Sequence, residues 1–179
     1  MITFHVTCCD KLFFCIYEGP NYAKTAAEPL LIYPNAPIAV IPESIRTFSP
    51  RFAELFNQAA FAEQHNCFEL AGTGYRNAIE IIVKDFAIKK LKEPEKEVCR
   101  CSLDEAITQY LPSVKTKIAA DVIKNLGNDY THYKNKHGDI PFENLKMYMN
   151  IFIKQIDAEL LTIDPIIPSK HLPAGQIQS

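Results

Sequence analysis

Lys124, Asn128 and His132 recur every four residues in the stretch Lys124-Asn125-Leu126-Gly127-Asn128-Asp129-Tyr130-Thr131-His132-Tyr133. On a helix that spacing lines one face with an ammonium, an amide and an imidazole. Arg76 and Glu80 are also four apart. If the helices carrying them pack together, an arginine–glutamate pair meets an asparagine–histidine pair. Two chemistries fit such a meeting. Histidine moves a proton near neutral pH and arginine holds a phosphate through two donors, which suits acid–base work on a phosphate ester. A polar network that only fixes helix register suits the same residues, because buried polar groups satisfy one another. Gly127 falls inside the stretch. A helical glycine costs about 1 kcal/mol relative to alanine, and one that is retained often serves a close backbone approach.

The other candidates are weaker. His65 is expected mid-helix, at the surface or in an interface, and His171 lies in a proline-rich tail. His137 follows Lys134 and Lys136 in the loop Asn135-Lys136-His137-Gly138 and reads as a solvated turn. Gly72-Thr73-Gly74 reads as a helix junction. There is no Gly-x-x-x-x-Gly-Lys, no Gly-x-Gly-x-x-Gly and no His-Glu-x-x-His, so ATPase, dinucleotide-binding and zincin functions have no motif. The six cysteines (Cys8, Cys9, Cys15, Cys67, Cys99 and Cys101) include no Cys-x-x-Cys pair, the spacing at which a tight turn aims two thiolates at one ion. The one zinc reading the spacing offers is His5, Cys8, Cys9 and Cys15. The expectation is no metal and no cofactor.

The elements that must position these residues change character along the chain. Residues 1–48 read as a β-rich arm. Ile2–Thr7 and Leu12–Tyr17 are rich in β-branched and aromatic residues around the polar pair Asp10-Lys11, which predicts a hairpin. Leu30–Tyr33 and Ile38–Ile41 are short apolar pieces among prolines. From Ser49-Pro50 the period becomes helical. Phe52, Leu55, Phe56, Ala59 and Ala62 mark a first helix, interrupted near Thr73. Tyr75, Ala78, Ile79, Ile82 and Phe86 mark a second. Lys89–Arg100 reads as a charged, solvated connector. Ser102-Leu103-Asp104-Glu105 is a capping box that opens a short third helix. Val114, Ile118, Val122 and Leu126 mark a fourth, running to about Tyr133. Phe142, Leu145, Met149, Phe152, Ile156 and Leu160 form the clearest seam, on the last helix. Residues 49–162 therefore read as an antiparallel bundle of four to five helices, and 163–179, with Pro165, Pro168 and Pro173, as an extended or disordered tail.

Composition narrows the class. The 179 residues are 47% hydrophobic and 22% charged with a formal net charge of −2, which excludes a disordered chain and the basic excess of a dedicated duplex-DNA binder. No apolar run is long enough to span a bilayer. The first residues carry no basic segment of a secretion signal, so a cytoplasmic setting is expected.

Gly72-Thr73-Gly74-Tyr75-Arg76-Asn77-Ala78-Ile79-Glu80, followed about fifty residues later by Leu126-Gly127-Asn128-Asp129-Tyr130-Thr131-His132, resembles a prokaryotic domain-of-unknown-function family, the one numbered four-one-four-five. That family looks like a member of the HEPN superfamily of helical bundles. The resemblance covers roughly residues 40–162. It implies a HEPN-like bundle that forms a homodimer through the helices carrying the motif. Its implied context is bacterial defence, in a toxin–antitoxin or restriction-linked system, with RNA, a nucleotide or a protein as partner. Some relatives carry a zinc ribbon before the bundle, of which the hairpin around Cys8, Cys9 and Cys15 would be a degenerate remnant. Many HEPN proteins are metal-independent ribonucleases with Arg, four to six residues, then His. Here His132 and Asn128 match that motif, whereas Gly127 stands where its arginine would be. The missing cation would have to come from Arg76 or Lys124. The resemblance thus gives His132, Asn128, Arg76 and Glu80 as catalytic candidates, and Lys124, Gly127 and Tyr133 as binding candidates. The departure at Gly127 favours a non-catalytic binding or dimerisation module over a ribonuclease, and a structural accessory domain is the third alternative.

Overall fold

The computed structural model describes residues 2–6, 11–17, 29–33, 41–134 and 136–163. They fall into two units, Met1–Val40 and Ile41–Ser179. The first contains three antiparallel strands in the order β1 (Ile2–Val6), β2 (Lys11–Tyr17) and β3 (Pro29–Tyr33). β1 pairs with β2 from Ile2 opposite Cys15 to Val6 opposite Lys11, so Lys11 opens the strand rather than the turn. β3 pairs with β2 from Phe14 opposite Tyr33, with an irregularity between Ile16 and Tyr17, where Pro29 stands opposite Tyr17. Proline lacks the amide a continuous ladder needs and belongs at such a strand start. Cys8, Cys9 and the piece Ile38–Val40 lie outside the described residues, as do 164–179 of the expected tail.

The second unit is a helical bundle. Its helices are α1 (Glu43–Phe48), α2 (Pro50–Gln64), α3 (Phe68–Asp85), α4 (Glu95–Arg100), α5 (Leu103–Tyr110), α6 (Val114–Asp129) and α7 (Phe142–Ile163). α3 is central and packs on α2, α5, α6 and α7. Phe52, Tyr75, Ile79, Ile82, Phe86, Ile123, Leu145, Met149, Phe152 and Ile156 fill the core. The seam read on α7 is buried from Phe142 to Leu160. Ser102 and Glu105 form the expected capping box on α5. Among the described residues, no helix is long and apolar enough to cross a membrane.

Five local expectations are corrected. First, α1 lies within the span read as a β-rich arm, and its Ile45 is fully buried against the bundle. Second, α2 and α3 are separated at His65–Cys67, not at the glycines. Asn66 takes a left-handed backbone (φ 57°), which asparagine tolerates better than most residues. His65 is therefore the C-cap of α2. Gly72 and Gly74 lie inside α3, where neighbours leave no room for a side chain: a Cβ at Gly74 would lie 2.8 Å from the Cβ of Ala59. Third, the connector is structured. α3 ends in a π-helical turn, Phe86–Lys90, where the Leu91 amide reaches back to the Phe86 carbonyl. α4 follows and buries Val98. Fourth, the face that α6 turns inward shares only Leu126 with the expected one. Thr116, Ala119, Ala120, Ile123, Leu126 and Gly127 are buried, whereas Val114 and Ile118 are 72% and 55% exposed. Fifth, α6 ends at Asp129, four residues before the expected Tyr133.

Candidate functional site

The crossing of α3 and α6 is built on glycine. A Cβ at Gly127 would stand 2.5 Å from the Cβ of Arg76 and 3.2 Å from the Gly72 carbonyl oxygen. A Cβ at Gly72 would penetrate the ring of Tyr130, 2.2 Å away at Cδ2. Gly127 thus lets the stem of Arg76 lie against α6, and the next residue secures its head. Arg76 Nε donates to Asn128 Oδ1 at 3.0 Å. Arg76 Nη1 donates to Glu80 Oε2 at 2.9 Å and to Asn77 Oδ1 at 3.2 Å. Glu80 also accepts from Lys84 at 2.8 Å. Burial pushes the Glu80 carboxyl upward, but Lys84 and Arg76 outweigh it and hold the group below its ordinary range.

Arg76, Glu80 and Asn128 therefore meet as the spacing expected, and His132 does not join them. Because α6 stops at Asp129, His132 lies in the turn beyond it, exposed, with its amide bonded to the Asn128 carbonyl at 3.1 Å. Its ring makes no hydrogen bond among the described residues. Lys124 points elsewhere: its ammonium binds Asp104 of α5 and Asp121, the latter at 2.7 Å. Burial lowers the Lys124 pKa, and the two carboxylates more than reverse that and raise it. Tyr133 is fully exposed.

The turn after α6 holds a feature that the residue spacing concealed. Asp129 Oδ1 accepts the Lys136 amide at 3.0 Å. Its Oδ2 accepts the His137 amide at 2.9 Å and faces His137 Nδ1 at 2.8 Å. The Asp129 side chain is 7% exposed. Its burial works to raise the carboxyl pKa, but the two amides and the His137 ring prevail and lower it. An ionised Asp129 at Nδ1 places the ring proton on that nitrogen and sets the orientation of the imidazole. The signal that could have revealed this is an aspartate closing a helix ahead of a short cationic loop. Such a carboxylate can gather amides that the helix no longer pairs.

Asn125, Asn128, Asp129, His132, Lys134, Lys136 and His137 line one concavity of about 550 Å³. That volume falls within the range of small-ligand sites. No group of three metal-ligating side chains occurs among the described residues. The His5, Cys8, Cys9 and Cys15 zinc reading depends on Cys8 and Cys9, outside those residues. Fold and site together define a helical bundle with a two-histidine, two-lysine hollow at the end of α6. The chain matches no family model, no curated protein and no solved structure.

Proposed function

We propose that the helical unit is a HEPN-like binding and dimerisation module, and not a ribonuclease that pairs His132 with Arg76 or Lys124. The observation that carries this reading is the engagement of both cations. Arg76 is tied to Asn128 and Glu80, and Lys124 to Asp104 and Asp121. Freeing Arg76 to clamp a phosphate beside His132 would break its bonds to Asn128 and Glu80, and freeing Lys124 would part it from Asp104 and Asp121. Asn128 serves the helix crossing through its oxygen, which is the register-fixing role of such a network. The bacterial defence or restriction-linked setting belongs to the same proposal and rests on the resemblance.

Self-association draws support from the outward sides of two packed helices. Val114 and Ile118 on α6, and Met147, Ile151 and Leu161 on α7, are all exposed apolar side chains. A two-fold interface would use the same patch on both copies. Light scattering on the full chain at tens of micromolar is expected to give a dimer, and Ile118→Asp with Met147→Asp a monomer of unchanged helicity. A monomeric parent chain defeats the dimer. RNA cleavage that disappears in both Arg76→Gln and His132→Ala, with folding intact, would restore the ribonuclease.

A further inference from the structure

We draw no further inference here: the strongest candidate, the apolar surface patch of Phe61, Phe68 and Leu70 flanking the turn between α2 and α3, carries nothing, because nothing among the described residues shows what covers it.

Discussion

Gly127 and Asn128 act as one device at the residue scale. The glycine removes the atom that would collide with Arg76, and the asparagine then receives the guanidinium that has been let in. Their pairing with Arg76 and Glu80 was legible because four-residue spacings map onto helix faces. The separate fate of His132 was not, because nothing in the spacing shows that α6 ends at Asp129. Asp129 was missed for a related reason: its partners are mostly backbone amides, which carry no residue type to read. Gly127→Ala tests the crossing. Helix propensity alone would favour alanine by about 1 kcal/mol. The new methyl would meet the Arg76 Cβ, which is too near the backbone to swing aside, and overpacking of that kind costs about 1–3 kcal/mol. Chemical denaturation is expected to show a net loss of about 1 kcal/mol. A stabilised variant would mean that the helices separate freely.

The elements divide by how openly their residues declare a face. α7 declares itself through large apolar side chains at regular spacing, and α5 through its capping box. α6 conceals its inner face, since Thr116, Ala119, Ala120 and Gly127 are small and only Ile123 and Leu126 among the buried set are large. The branched residues Val114 and Ile118 mark a face with the same period, turned outward. Small inner residues allow α6 to sit close to α3, which is what the Arg76 crossing requires. Glycine is the commoner helix breaker, so the sequence points to a break at Gly72–Gly74, yet the break between α2 and α3 falls at Asn66 with φ 57°. Replacing Asn66 separates backbone from side-chain effects. Asn66→Gly is expected to change stability by no more than a few tenths of a kcal/mol, because glycine enters the left-handed region without strain. Asn66→Ala is expected to cost about 1 kcal/mol. Equal stability of the two variants in thermal or chemical unfolding would show that the backbone conformation there costs nothing.

For the whole molecule, the question is where the helical unit begins. The change in periodicity at Ser49 suggests a start at that residue, and six residues of α1 are too few to show a helical repeat. Packing puts the start earlier. Ile41 and Ile45 are 3% and 0% exposed, α1 packs on α2 and α7, and the Ser44 hydroxyl donates to Asp157 of α7. Ser49 contributes as well. Its buried hydroxyl does not cap α2 but donates to Asp85 at the end of α3, at 2.6 Å. Two fragments distinguish the boundaries. Residues 41–163 are expected to unfold cooperatively with helical circular dichroism. Residues 49–163 lose two buried isoleucines, each contributing about 2 kcal/mol of burial, along with the Ser44–Asp157 bond. A loss of about 4 kcal/mol is a large part of the 5–15 kcal/mol that ordinarily holds a domain. The shorter fragment is therefore expected to unfold at a much lower denaturant concentration, or to lose its cooperative transition. Equal midpoints for the two would return α1 to the N-terminal arm and put the start of the bundle at Pro50.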